Sequence, residues 1–204
     1  MPFADPAHSR ILGDTINALE NVERKSHEPN GGNAPVVFRE TAKHIPSLLV
    51  YFEKCKQHLD ATIMAEEFHR LTIGYLKTCE RNASRVNEIF TGVVGSSNSA
   101  EQYRRVAQGD QLEDLMKKIL ENAIAMSSTT QLTAISGTEV HGLNQSLCEF
   151  QAMPASLPEV KPSYSFTNFG SGNQNLNTGT GHQYNNNGSG NMFTGAIQSF
   201  SMSR

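Results

Sequence analysis

Residues 75–90 have the sequence YLKTCERNASRVNEIF, and this stretch decides the fold of the chain. Its apolar residues advance by three, four, three and four positions, which places them on one face of an α-helix that packs on other helices. The residues of this seam are Leu76, Cys79, Ala83, Val86 and Phe90. The sequence therefore predicts an all-α domain built around this helix.

Helical spacing continues upstream of the seam. Residues 7–25 and residues 36–59 both place apolar side chains three and four positions apart. Pro46 lies within the second stretch. We expect it to bend that helix or to begin a second segment, because proline lacks an N–H and disfavours helical geometry at the preceding residue. The residues expected in the helical core are Phe38, Ile45, Leu76, Cys79, Val86 and Phe90.

Two capping patterns and one shorter amphipathic stretch predict the helices that follow. Ser99 with Gln102, and Asp110 with Glu113, have the three-residue spacing of a capping box, which marks the start of a helix. A shorter amphipathic stretch covers residues 132–150. Because this part of the chain has no convincing strand pattern, we predict a bundle of about five helices over residues 7–150.

Charge and cysteine content limit the possible classes of protein. All 20 acidic residues and 16 of the 17 basic ones precede Pro162, so this part has a formal charge of 16 − 20 = −4 and offers no basic face for nucleic acid. The chain has no apolar run of membrane-spanning length and no signal peptide, which predicts a cytoplasmic protein. Cys55, Cys79 and Cys148 are odd in number and lack CxxC spacing, so we expect reduced, buried thiols.

The sequence shows no catalytic or metal-binding constellation. Glu66 and His69 have the spacing used by carboxylate-bridged metal helices, but no second such pair follows, so we interpret them as an exposed polar face. His44 and His58 are interpreted in the same way. Phosphate-loop, nucleophile-elbow and HExxH motifs do not occur. We therefore expect a protein that is not an enzyme and has no metal and no cofactor.

The C-terminal part of the chain is a repeat without charge. Residues 162–203 contain no Asp, Glu, Lys or Arg, and three nonapeptides follow one another: GSGNQNLNT from Gly170, GTGHQYNNN from Gly179 and GSGNMFTGA from Gly188. Repetition at fixed spacing is typical of stacked rungs with Gly-x-Gly corners. The residues expected to form these rungs are Gly170, Gly172, Asn173, Gln174, Asn175, Leu176, Asn177, Gly179, Gly181, Gln183, Tyr184, Asn185, Gly188, Gly190, Asn191 and Phe193.

Three interpretations of this repeat compete. A calcium-binding roll needs an Asp in each turn, and the repeat has none. A flexible Gly/Asn-rich linker explains the composition but leaves the register unexplained. The third interpretation is a cross-β segment that forms when copies from several molecules stack, because the absence of charge removes repulsion and Asn and Gln form ladders. It predicts a tail that is disordered as a monomer and β-solenoid-like when assembled.

A proline-containing segment separates the two parts. Pro154, Pro158 and Pro162 recur every four residues, which disfavours both helix continuation and strand pairing. We therefore predict a helical domain over residues 7–150, a semi-rigid linker over residues 151–165 and a repeat motif over residues 166–200.

The helical part resembles a known family. FRETAKHIP, residues 38–46, with the LLVYFEKCKQHL that follows it, resembles a segment of the fungal SesA domain. Residues 75–90 resemble its second block, in which a Cys precedes a helix ending in Ile-Phe. The resemblance extends over about residues 11–126. It implies a domain often found at the N-terminus of fungal NOD-like receptors, followed there by a NACHT module that we expect this chain to lack.

The resemblance also suggests kinship with the helical HeLo-like death effectors. Pore-forming members of that group commonly begin with an apolar helix, whereas MPFADPAHSRILGDTINALENVERK at the start of this chain is charged. Whether a membrane is a target therefore stays open at this point.

The tail resembles the sigma motif, a prion-like amyloid signalling motif found beside SesA-type domains. The shared elements are GxG corners alternating with NQ, Tyr-Asn and Met/Phe-Thr-Gly segments. A pseudo-palindromic motif compared with the necroptosis motif of animal kinases ranks second, because its φ-Q-φ-G core does not occur here.

The two resemblances together imply a non-enzymatic protein of fungal innate immunity or heterokaryon incompatibility. It would form homo-oligomers through its tail and accept a template from a NACHT-containing NOD-like receptor with a similar motif, with programmed cell death as one outcome. The alternative is a helical scaffold or adaptor whose tail is a disordered, solubilising extension.

Overall fold

A computed structural model describes residues 6–28, 34–61, 65–128, 132 and 137–157. These residues contain helices and no strand, which confirms the all-α prediction for this part of the chain, with six helices where about five were expected. The repeat predicted over residues 166–200 lies outside the described residues. The helices are α1 (Pro6–Ser26), α2 (Val36–Ala61), α3 (Glu66–Val93), α4 (Ser99–Ala107), α5 (Leu112–Ser127) and α6 (Gly137–Gln151).

Helix α3 lies at the centre of the bundle and contacts α1, α4 and α5. Its apolar seam is buried along its whole length, with every residue from Leu76 to Phe90 of that seam at most 1% exposed. Helix α2 packs on α1, α5 and α6, and α5 also packs on α6. The regular three- and four-residue spacing of one sequence stretch therefore provides the surface on which three other helices pack.

Helix α2 runs through its proline without interruption. It extends from Val36 to Ala61 with Pro46 inside it, so Pro46 does not begin a second segment. Ile45, which precedes the proline, is fully buried. The burial of the apolar face of α2 on three other helices outweighs the hydrogen bond that the missing N–H of Pro46 cannot make.

Both predicted capping boxes mark real helix starts, but the residue that precedes each helix makes no side-chain capping bond. The residue before α4 is Asn98, whose Nδ2 donates to Glu101 Oε2 at 2.6 Å, and Ser99 is a buried residue of the helix itself. The residue before α5 is Gln111, which makes no side-chain capping bond. Asp110 instead accepts from Arg85, and Glu113 accepts from Ser156. These tertiary hydrogen bonds take the place of the local capping bonds.

An arginine of α3 caps the end of α4. Arg85 Nη2 donates to the carbonyl oxygens of Val106 and Ala107 at 2.9 and 2.8 Å, and Arg85 Nε donates to Asp110 Oδ2 at 2.8 Å. The carbonyl groups of the last helical turn have no hydrogen-bond donor within the helix, and here the Arg85 guanidinium provides the donor. Gln108 follows with a φ of 52°, which turns the chain toward α5. Arg85 thus joins α3 to the turn between α4 and α5.

Candidate functional site

The chain beyond α6 is held on the bundle by residues 153–157, which we call the strap. Met153 N donates to Phe150 O at 3.3 Å, and its side chain packs on the core. Pro154 and Ala155 are exposed, whereas Leu157 is buried at 7% exposure. The strap is the beginning of the segment predicted as a linker, so the structure places residues 153–157 of that segment against the helices.

A buried carboxylate of α5 binds the strap. Glu113 is only 1% exposed, and its Oε1 and Oε2 accept from the backbone N–H and the hydroxyl of Ser156, both at 2.6 Å. In the described part of the chain no Lys or Arg pairs with this carboxylate. Glu113 lies in the first turn of α5, where the helix dipole stabilises negative charge. The first turn of α5 and the strap thus hold this carboxylate in place.

A tyrosine of α4 connects the strap to the aromatic core. Tyr103 Oη lies 2.8 Å from Ser156 Oγ and accepts from the backbone N–H of Leu112 at 3.0 Å. Burial raises the pKa of Tyr103, so its hydroxyl keeps the proton that it donates. The ring of Tyr103 meets that of Phe38 edge to face at 5.1 Å, and Phe38 meets Phe90 at 4.8 Å. The strap therefore contacts the same cluster that holds α2, α3 and α4 together.

A second polar cluster joins α2 to α6. His44 Nδ1 lies 2.9 Å from Ser146 Oγ, and His44 Nε2 lies 3.2 Å from Glu149 Oε2. Lys43 Nζ donates to the same Glu149 oxygen at 2.8 Å. Burial lowers the pKa of His44, whereas the hydrogen bond from Lys43 lowers the pKa of Glu149. His44 is 7% exposed, so its interpretation as part of a solvated face is wrong.

The order Ser–His–Glu in this cluster is that of a nucleophile, a base and an orienting acid. Ser146, however, is 6% exposed, and its hydroxyl also lies 3.0 Å from the carbonyl oxygen of Gly142 in the same helix. A hydroxyl buried in this way between α2 and α6, and already bonded to a backbone carbonyl, is poorly placed to attack a substrate. We interpret the cluster as a structural contact between α2 and α6, in which the polar side chains satisfy one another's hydrogen-bonding groups.

The cysteines differ from one another. Burial raises the pKa of Cys55 and of Cys79 to about 12, which makes both thiols poor nucleophiles. Cys148 is exposed, so the expectation that all three thiols are buried is wrong. Helix α6 buries Leu143 and Phe150, and Cys148 lies on the face away from them. Among the described residues no group of His, Cys, Asp and Glu is arranged to hold a metal ion.

The residues predicted from the sequence fall into two groups. The six expected core residues, which are Phe38, Ile45, Leu76, Cys79, Val86 and Phe90, are all at most 3% exposed. The sixteen rung residues between Gly170 and Phe193 lie outside the described residues. Sequence reasoning missed the roles of Tyr103, Glu113 and Ser156. Leu157, which follows Ser156 in the proline-containing segment, was the signal in the sequence that this segment packs on the bundle. A fully solvated linker has no need of an apolar residue at this position.

A groove of about 590 Å³ runs between α1, α2 and α3. Phe38 and Phe90 line it, together with the exposed Val36, and Glu23 and Arg39 lie among its charged residues.

No helix in the described part of the chain combines the length and the apolar character needed to cross a membrane.

Comparison with known proteins identifies the helical domain. No curated protein and no solved structure matches the chain. A family model does match residues 10–126, and its description is SesA, an N-terminal domain on NACHT NTPases and P-loop NTPases. The match confirms the resemblance found at residues 38–46 and 75–90. Because it extends over more than half of the 204 residues, the chain belongs to the SesA family.

Proposed function

We propose that this chain is a non-enzymatic signalling protein of fungal innate immunity or heterokaryon incompatibility. Residues 166–200 accept a cross-β template from an activated receptor that has a NACHT module and a similar motif. The observation that carries the proposal is the combination of a SesA domain with an uncharged repeat of three nonapeptides in one chain. The SesA family is one of N-terminal domains on NACHT and P-loop NTPases rather than a catalytic family, which supports a role in signalling.

The repeat has the composition of a segment that becomes ordered only when several copies assemble. The nine-residue offset aligns Gln174 with Gln183, and Tyr184 with Phe193, so stacking places amide on amide and ring on ring between neighbouring rungs. One copy has few apolar residues, and their burial does not compensate for the conformational entropy that ordering costs. Assembly then needs a nucleus or a template, which is the behaviour of a switch.

The helical domain acts as the output of this switch. Cross-β layers are spaced by about 4.8 Å, whereas a domain of this size is tens of ångströms wide. Because each copy contributes three rungs, one domain is attached about every 14 Å, which is still less than its width, so the domains must splay around the axis or rearrange. Crowding converts the assembly of the tail into a change in the helical domain, with cell death as one outcome.

The experiment measures fibril formation by the full chain. Fresh protein should fibrillise after a lag that preformed fibril seeds abolish, as followed by amyloid-dye fluorescence. Gln183→Lys should block assembly, because it replaces an amide of the ladder with a positive charge that recurs once per three-rung copy, about every 14 Å along the fibril. Ser163→Lys adds the same charge outside the rungs and should assemble close to the wild-type rate. Equal rates for all three proteins would refute the register of the rungs.

The second candidate function is a helical scaffold or adaptor with a solubilising tail. The Gly- and Asn-rich composition of residues 170–191 favours it, because such composition ordinarily gives flexible chains. A full chain that binds no amyloid dye and stays monomeric with or without seeds would support this candidate over the first.

A further inference from the structure

The hydrogen bonds that hold the strap form a chain with one direction. A carboxylate only accepts, so the hydroxyl of Ser156 donates to Glu113 Oε2 at 2.6 Å. Tyr103 Oη, 2.8 Å away, then donates to Ser156 Oγ and accepts from the N–H of Leu112. Each donor in this series has one acceptor. Removal of the Ser156 hydroxyl leaves Glu113 Oε2 without this donor and the Tyr103 hydroxyl without this acceptor.

The strap has a small interface with the bundle. It is anchored at Met153, at Ser156 and at Leu157, whereas Pro154 and Ala155 between them are exposed. Helix α6, which precedes it, packs on both α2 and α5. The strap can therefore open while the six helices stay folded, since local opening involves the elements with the fewest buried contacts.

We propose that the strap is a releasable latch, in which Glu113 and Tyr103 hold Ser156 and Leu157 until tension along the chain withdraws them. The predicted repeat motif begins nine residues beyond Leu157, at residue 166, so a tail fixed in a fibril would pull on the strap before it pulls on the helices. Withdrawal uncovers the Glu113 carboxylate, the Tyr103 hydroxyl and the part of the apolar core that Leu157 covers. This step rests on the proposed function and supplies the means by which tail assembly reaches the helical domain.

Native-state hydrogen exchange of the full chain tests the latch directly. The Ser156 amide should exchange by local opening, much faster than the Val86 amide in the centre of α3. Glu113→Gln should raise the Ser156 rate roughly 10- to 100-fold, because the amide loses a charged acceptor. Glu121→Gln makes the same change at an exposed position of α5 and should leave the rate unchanged.

Two results of this measurement would overturn the latch. One is exchange of Ser156 only together with Val86, which would mean that the strap opens only when the domain unfolds. The other is an unchanged Ser156 rate in Glu113→Gln. Ser156→Ala provides a second variant: its amide should exchange faster than in the wild type, while that of Val86 should not.

A second arm compares the monomer with seeded fibrils of the full chain. The amides of Ser156 and Leu112 should lose protection in the fibril while that of Val86 keeps it. Fibrils in which the strap stays as protected as in the monomer would overturn the latch and leave the proposed function intact. A chain that forms no fibrils would refute the proposed function, and the first arm alone then decides whether the strap opens independently.

Discussion

Replacement of Phe38 by alanine should destabilise the helical domain by about 3 kcal/mol. Phe38 is 3% exposed and contacts the rings of Phe90 and Tyr103 at 4.8 and 5.1 Å. Truncation of a buried phenylalanine costs about 3–5 kcal/mol, and the cost depends on how far the surroundings close over the cavity. Phe38 also lines the groove between α1, α2 and α3, so the space it leaves opens to water and the lower value applies.

A leucine at the same position separates apolar volume from aromatic contact. Phe38→Leu keeps most of the buried area but loses two ring pairs, each of which contributes about 0.5–1.5 kcal/mol. We therefore expect a loss of about 1–3 kcal/mol for this variant, and no more than for Phe38→Ala. Val36→Ala, two residues earlier on the same helix, removes a side chain at a position that is 62% exposed and should change the stability by less than about 0.5 kcal/mol.

Urea denaturation of the full chain, followed by circular dichroism at the helix band, measures all three variants. For a chain of this length the alanine variant should also lower the Tm by about 6–12 °C. A loss below about 1 kcal/mol in Phe38→Ala, or an equal loss in Val36→Ala, would show that Phe38 is not part of the packed core.

Two further predictions concern titratable groups. His44 binds a proton near pH 6.5 in the unfolded state, whereas burial keeps the folded ring neutral to lower pH. The Tm should therefore fall as the pH is lowered from 7.5 to 5.5, and His44→Gln should reduce that fall. A Tm that rises on acidification would contradict this prediction. An aromatic disulfide reagent should modify Cys148 in the native protein and should reach Cys55 and Cys79 only after denaturation. Rapid modification of two or more thiols in the native state would show that the core is open.

The positions of the helices could be predicted because they depend on neighbours in the sequence. The stretch predicted as helical over residues 7–25 is the helix Pro6–Ser26, and the heptad-like seam of residues 76–90 lies inside Glu66–Val93. Burial of one face at every third or fourth residue is a local property, and one stretch of sequence contains all of it.

The roles of individual polar residues could not be predicted in this way. Asp110 and Glu113 have the spacing of a capping box, yet Arg85 and Ser156, which are 25 and 43 positions away, bind them. The partner of His44 is Ser146, 102 positions along the chain. A hydrogen bond to a distant group competes with the local pattern, and only the folded arrangement of α2, α5 and α6 decides which of the two forms.

The strap also has a consequence for the order of events during synthesis. Residues 1–157 leave the ribosome before the repeat does, and another 47 residues follow Leu157 in this sequence, because 204 − 157 = 47. At about 5–20 residues per second their translation takes roughly 2–9 s. Helical domains with mostly local contacts fold in microseconds to milliseconds. Each new molecule can thus close its bundle and fasten Ser156 to Glu113 before its repeat is complete, so a nascent chain meets existing fibrils with its helical domain already folded.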